Sequence, residues 1–327
     1  MADGTRALLG LVGDIGGTNA RFALAAIDGG RVELVDPQIY QCIDFASAEE
    51  AALSYLAAHG RPRPPVAVLA VAGPITNGAA SFTNVNWRIS QAAFSERLQL
   101  NGTTLINDYT ALALSAPILT EQNCRRLGRE LSGDPQQTIA ILGAGTGFGA
   151  SALVRSDGAQ AVLTTEGGHM GFAPGDDVEI EVLKLLRKRF GRVSVERVLS
   201  GPGLLNLHLA LSEVEGRPGD CDSPNAVTAR AEAGDPAAIR TVERFCGILG
   251  SVAGDLALAY GARGGVFVAG GVAARVQDAL ANGEFRRRFE AKGRFESYLA
   301  EIPTRLILHA HTAALLGAAR ALAGKSP

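Results

Sequence analysis

The sequence has no surplus of charge of either sign. Its 31 Lys and Arg nearly balance 33 Asp and Glu, leaving a formal net charge of −2. That balance gives no global electrostatic footprint for nucleic acid and no polybasic membrane anchor. Cysteine is scarce too: Cys42, Cys124, Cys221 and Cys246 lie far apart, with no C-x-x-C pair. Such spacing excludes the common zinc ribbons and points to a reducing, cytoplasmic compartment. No run of about 20 apolar residues occurs, so no membrane span is expected. The N-terminus reads MADGTR and enters a short strand-like run, which is not the pattern of a secretory signal.

Glycine is abundant. There are 40 among 327 residues, well above the average of about 7%. Hydrophobic residues make up 47% and charged residues 20%, which suits a globular chain and is too apolar for disorder. The length predicts about two domains, with a core large enough to need no staples.

Short apolar runs alternate with longer helical stretches, the pattern of an α/β protein. Ala7–Val12 is apolar and leads into Gly13-Asp14-Ile15-Gly16-Gly17-Thr18. Phe22 and Leu24 then alternate as on a strand face, so the unit reads strand, glycine turn, strand. A second such unit joins Thr138–Leu142 to Ala150–Val154 through Gly143–Gly149, which suggests an internal duplication. Ser47–His59 has helical spacing behind a capping box of Ser47 and Glu50, and the proline-rich stretch Arg61–Pro65 ends it. Val66–Ala72 reads as a buried strand. Asp176–Phe190 is the clearest helix, acidic at its start and basic at its end, which complements the helix dipole. Gly216–Pro224 reads as an exposed loop, Thr241–Ala259 and Thr312–Ala323 as helices, and Gly264–Gly271 as a strand ending in a Gly-Gly turn. Arg286-Arg287-Arg288, flanked by Glu284 and Glu290, reads as a solvated helical face.

Glycine loops after strands hold phosphates because backbone N–H groups can approach the anion. Three occur, at Gly13–Thr18, Gly143–Gly147 and Gly270-Gly271. Each alone serves equally as a plain turn; together they favour a nucleotide cleft. A P-loop is rejected, because the only G-K-S, Gly324-Lys325-Ser326, stands at the very end with Ala319 where the first glycine belongs. A dinucleotide fingerprint at Gly145-Thr146-Gly147-Phe148-Gly149-Ala150 fails because a strand, and no helix, follows. A carboxylate such as Asp14 beside phosphates calls for a cation, and Mg²⁺ is the natural one; an Asx-type turn cap is the alternative. Asn107-Asp108 stands where a strand enters a helix, a place for reacting groups, though taken alone a helix N-cap explains the pair better. Glu166-Gly167-Gly168-His169 offers an acid and an imidazole around one turn, suited to a ligand with several hydroxyls. Glu196 either joins that set or pairs with an arginine.

In combination these motifs resemble the bacterial glucokinases of the actin/hexokinase/acetate-kinase superfamily. The resemblance runs from Gly13-Asp14-Ile15-Gly16-Gly17-Thr18-Asn19-Ala20-Arg21 through Ile106-Asn107-Asp108, Gly143–Gly147, Glu166–Pro174, Val193–Gly203 and Gly264–Gly271. It reaches Lys292-Gly293-Arg294-Phe295 and Ile302-Pro303, covering about residues 8–320. It implies a two-domain actin-like ATPase (ribonuclease H-like) fold closing over a cleft. The small α/β domain is expected at residues 1–115 plus 312–327 and the large one at 116–311.

The same resemblance implies the roles. Asp108 is the general base for the 6-hydroxyl of glucose. Asn107, Glu166, His169 and Glu196, with Asp108, bind the sugar. Gly13, Asp14, Ile15, Gly16, Gly17 and Thr18, with Gly145, Thr146 and Gly147, hold the phosphates of ATP; Asp14 reaches Mg²⁺ through water, and Gly270 and Gly271 lie by the adenosine. A homodimer is implied as well. The related repressor and kinase branch carries a zinc-binding cysteine cluster after its Glu-x-Gly-His. Here Met170-Gly171-Phe172 follow His169, so no structural zinc is expected, and the few residues before the first strand leave no room for a DNA-binding helix-turn-helix. A hexose kinase of wider scope, a sugar sensor without turnover and an actin-like ATPase are the competing readings. Asp108 argues against the sensor, and the Glu166/His169 pair against the ATPase.

Overall fold

The computed structural model describes residues 7–28, 31–58, 63–82, 85–156 and 158–323. The chain divides into two units, Met1–Leu119 with His309–Pro327, and Thr120–Leu308.

The first unit is built on strands β1 (Ala7–Ile15), β2 (Asn19–Asp28), β3 (Arg31–Gln41), β4 (Val66–Val71), β5 (Ala79–Ser81), β6 (Arg88–Ser90) and β7 (Gly102–Asn107). Among the described residues five of them form one sheet, in the order β3-β2-β1-β4-β7, and β5 and β6 form a separate ribbon. β1, β2 and β3 are antiparallel neighbours, whereas β1, β4 and β7 run parallel. Both faces of this sheet are covered, which is why its inner strands read as continuous apolar runs and not as alternating ones. Leu11, Ile15, Phe22 and Leu69 pack on one face with Tyr55 of α1 (Ala48–Ala58) and Phe94 of α2 (Gln91–Leu98). Val12, Ala23 and Val68 pack on the other with Leu315, Ala318 and Leu322 of the closing helix Ala310–Ala323. That helix also lies against α3 (Asp108–Ser115); a Cβ on Gly317 would stand 1.8 Å from the carbonyl oxygen of Ala111, so only glycine permits the approach.

The second unit holds β8 (Cys124–Arg126), β9 (Ile139–Ala144), β10 (Phe148–Ser156), β11 (Ala159–Thr165), β12 (Gly265–Ala269) and β13 (Thr304–Ile307). Their order is β11-β10-β9-β12-β13-β8. Its first five strands repeat the first sheet: an antiparallel meander of three, then two parallel strands. Helices α4 (Asp177–Phe190), α5 (Gly201–Val214), α6 (Pro224–Glu232) and α7 (Pro236–Tyr260) enclose a larger core around Phe245, Leu249 and Val268.

Local chemistry accounts for the helix starts. Ser47 Oγ accepts from the Glu50 N–H at 3.2 Å, and Glu50 Oε2 accepts from the Ala46 N–H at 3.1 Å. The helix behind them runs to Ala58; His59, Arg61 and the rejected Gly324-Lys325-Ser326 lie outside the described residues.

Two readings need correction. The first glycine turn does not begin at Gly13, because β1 continues through Gly13 and Asp14 to Ile15. The triple arginine is not a solvated face. Arg286 is 6% exposed and Arg288 8%, while Arg287 alone points outward, to Glu284. Arg286 donates to the carbonyl oxygens of Ala300 (2.8 Å) and Ile302 (2.6 Å), orphaned where a short helix ends. Arg288 pairs at 3.0 Å with Glu179, which is fully buried in the first turn of α4.

Candidate functional site

In the first unit the polar groups gather at the carboxyl ends of the parallel strands. The register places Ile15 beside Val71 and Val71 beside Asn107, so β1, β4 and β7 end level with one another. Asp14 stands one residue before that line and Asp108 one residue after it. Asp14 faces Arg21 across the β1–β2 hairpin, and Arg21 Nη1 donates to Asp14 Oδ2 at 3.2 Å. Burial pushes the Asp14 carboxyl up to about 6, although the Arg21 charge pulls the other way. Among the described residues the second oxygen, Oδ1, has no hydrogen bond to protein. A hard carboxylate oxygen left open beside a glycine turn fits Mg²⁺, which takes one or two carboxylates and keeps several waters.

The turn itself is short. The Gly16 N–H donates to the Asn19 carbonyl at 2.9 Å. Cys42 fixes it from below: its N–H donates to Thr18 O at 2.8 Å and its thiol to Gly16 O at 3.4 Å. Gly16, Gly17 and Thr18 keep some exposure, whereas Ile15 is wholly in the core. Gly13 is a packing glycine, since a Cβ there would come within 2.7 Å of Leu69.

Asn107 caps α3, its Oδ1 accepting from the N–H groups of Tyr109 (2.9 Å) and Thr110 (3.4 Å). Asp108 opens the helix, its Oδ1 3.0 Å from the same Tyr109 N–H. Burial raises the Asp108 carboxyl to about 6; the Tyr109 hydrogen bond opposes the shift, and the Asp14 charge adds to it. A carboxylate with its pKa drawn toward neutrality can take a proton at working pH.

In the second unit Glu166, His169 and Glu196 meet around one strand end. Glu166 and His169 flank a tight turn, in which the His169 N–H donates to Glu166 O at 2.9 Å. Both side chains are exposed. Gly168 presses on β10, where a Cβ would stand 2.2 Å from Phe148 O. The N–H of the same Phe148 donates to Glu196 Oε2 at 2.9 Å, so Glu196 grips the end of the glycine turn and not an arginine. Within that turn the Gly145 N–H donates to Gly147 O at 2.8 Å, and the Gly201 N–H, at the start of α5, donates to Gly145 O at 2.8 Å. Thr146 is exposed. A Cβ on Gly147 would meet Glu196 Oε2 at 2.5 Å and push that carboxylate aside. Gly270 adopts φ +98° and abuts Ala144 O; Gly271 opens the short helix Gly271–Arg275 with free space around it.

The residue that sequence reasoning missed is Arg21. A hairpin centred between Gly17 and Thr18 pairs positions 14 and 21, and that arithmetic would have found it.

The family described as Glucokinase has a model that matches residues 11–325. A glucokinase of Caulobacter sp. strain K31 is 54% identical, over 96% of this chain and 95% of its own length. The crystal structure of a glucokinase from an Antarctic psychrotroph is 38% identical, with a TM-score of 0.89, covering 96% of this chain and 98% of that one. A Streptomyces griseus ROK family glucokinase, solved with glucose and AMPPNP, is 19% identical with a TM-score of 0.60 over 95% of this chain and 97% of its own. These likenesses identify the α/β architecture as the actin-like ATPase fold.

Proposed function

The chain belongs to the glucokinase family, and on that premise we propose that it transfers the γ-phosphoryl group of ATP to the 6-hydroxyl of D-glucose, releasing glucose 6-phosphate and ADP. The observation that carries the reading is Asp108, a carboxylate fixed at the mouth of α3 with its pKa raised to about 6. Phosphoryl transfer asks the protein chiefly for positioning and charge stabilisation, with one carboxylate to orient the nucleophile. Asp108 accepts the proton of the attacking hydroxyl. Asn107, whose Oδ1 is engaged in capping and whose amide also hydrogen-bonds the Asp108 carboxylate, gives an N–H to a sugar oxygen. Glu166, His169 and Glu196 hold the remaining hydroxyls, carboxylates accepting and imidazole donating or accepting.

The turns Gly16–Thr18 and Gly145–Gly147 offer backbone N–H groups to the phosphates of ATP, and Gly271 leaves open space for the nucleoside. Asp14 would hold Mg²⁺ through water, and the bound ion neutralises phosphate charge. Arg21 keeps one Asp14 oxygen in place and leaves the other for that water. No structural zinc is needed, and the two units serve as the enzyme's small and large domains. Four free, buried cysteines support a reducing, cytoplasmic setting, and among the described residues no helix is long and apolar enough to cross a membrane. Homodimer assembly completes the reading.

The test is Mg-ATP-dependent phosphorylation across glucose, mannose, fructose and glucosamine. Turnover on glucose well above the others is the expected result. Saturable glucose binding with no ADP formed would overturn the assignment and leave a sugar sensor.

A further inference from the structure

The loop that joins α5 to α6 gathers three side chains that phosphoryl transfer does not use. His208 of α5 is 1% exposed and Cys221 9%, and Asp220 lies at the loop's outer edge. One imidazole nitrogen, one thiol sulfur and one carboxylate oxygen lie within 4.8 Å of one another. His208 Nε2 is 3.0 Å from Asp220 Oδ1, and Cys221 Sγ is 3.9 Å from the same oxygen. Around a tetrahedral ion with bonds of about 2.0–2.3 Å, ligand atoms stand about 3.3–3.6 Å apart. Shifts well under the length of a bond would therefore close the set on an ion.

The far side of the imidazole is already arranged for this. His208 Nδ1 lies 3.0 Å from Thr241 Oγ1, and that hydroxyl donates its own hydrogen to Ala237 O at 2.9 Å. Thr241 can then only accept from the ring, so Nδ1 carries a proton. On the other side of the ring Nε2 faces a carboxylate oxygen 3.0 Å away. A bridging cation, either a proton or a metal ion, closes that contact. Metal-binding histidines have this same arrangement, the other N–H given to an oxygen that fixes tautomer and ring orientation. Arg230 takes the second carboxylate oxygen, Nη1 to Oδ2 at 2.6 Å, and so leaves Oδ1 to face His208 and Cys221.

We propose that His208, Asp220 and Cys221 form a binding site for a zinc-type divalent ion, with water as the fourth ligand. The mixed nitrogen, sulfur and oxygen set selects zinc or cobalt over magnesium, which takes oxygen ligands. The ion would tie α5 to the segment entering α6. It shares no residue with the phosphoryl-transfer groups, and the fold does not depend on it.

Cobalt(II) is the probe, titrated into the full, reduced, chelator-treated chain. One equivalent should bind with tetrahedral visible bands and a thiolate-to-cobalt charge-transfer band, and zinc should bleach both. Cys221→Ser should lose the charge-transfer band, while Cys246→Ser keeps it. Thr241→Val should weaken binding about 10–100-fold and retain the band. Asp220→Asn, at an exposed position, should also weaken binding, and it decides the matter if the buried variants fail to fold. A wild type without the thiolate band, a band that survives Cys221→Ser in folded protein, or unchanged affinity in Asp220→Asn would overturn the site and leave a proton-bridged ion pair.

Discussion

The two glycine hairpins occupy the same place in two sheets of the same order, yet they are made for different work. In the first, β1 and β2 carry a charged pair across the strands, Asp14 and Arg21, and the parallel strand ends beside them carry Asn107 and Asp108. In the second, the corresponding strand ends offer Gly143, Ala144, Ala269, Gly270, Ile307 and Leu308, all without charge. The first hairpin presents side chains; beside the second, Gly143 and Gly270 are packed so closely against backbone that side chains are excluded there. A Cβ on Gly143 would stand 1.9 Å from Ala269 O, and one on Gly270 2.2 Å from Ala144 O. One supersecondary element thus supplies carboxylates in one unit and uncharged backbone in the other.

The sharpest way to break this contrast is Gly143→Ala. With backbone as the obstacle, the strands must separate, and we expect a loss of at least about 3 kcal/mol by chemical denaturation, the upper end of ordinary overpacking. Gly145→Ala, where a Cβ meets nothing, should leave stability unchanged, so equal losses in the two variants would defeat the idea. Next in size is Glu196→Ala, which strips the acceptor from the Phe148 N–H. Leaving that donor unpaired costs about 1–3 kcal/mol, and the KM for glucose should rise as well. Glu196→Gln should restore most of the stability but not the sugar affinity; recovery of both would make Glu196 a purely structural group.

The smallest effect is the pH dependence of the free protein. The folded-state pKa values of Asp14 and Asp108 lie near 6, above the ordinary 3.8. The folded state therefore binds more protons than the unfolded state in that window. Their contribution to stability is complete below about 3.8 and is lost as the pH rises through about 6. Asp108→Asn removes one of the two groups. Its melting temperature should exceed that of the wild type by a few degrees at pH 7 and match it near pH 4. A variant that melts lower at pH 7 would show that burial is not what raises this carboxyl.

Most of the fold could be read from the sequence because both sheets are covered on two faces, and runs such as Val66–Val71 announce themselves. The duplicated hairpin was legible from Gly16-Gly17 and Gly145–Gly147, while β3 was not, since its half-exposed residues show no run. The candidate site was legible as a set of residues. What sequence leaves mostly hidden is what each one touches. Asp14 to Arg21 depends on a hairpin register, and Glu196 to Phe148 N–H joins residues 48 positions apart. The triple arginine misled for the same reason: charge pattern reports solvent, and nothing local reveals that carbonyls at positions 300 and 302 need a buried donor.

The most direct test of the account pairs glucose binding with single-turnover chemistry in Asp108→Asn, side by side with the wild type. The account predicts glucose affinity close to that of the wild type, a chemical step slower by about 10²–10⁴, and a wild-type rate that falls on the acid side of about pH 6, where Asp108 is protonated. A variant that phosphorylates glucose at near-normal rate would contradict it, leaving Asp108 as no more than the first residue of a helix.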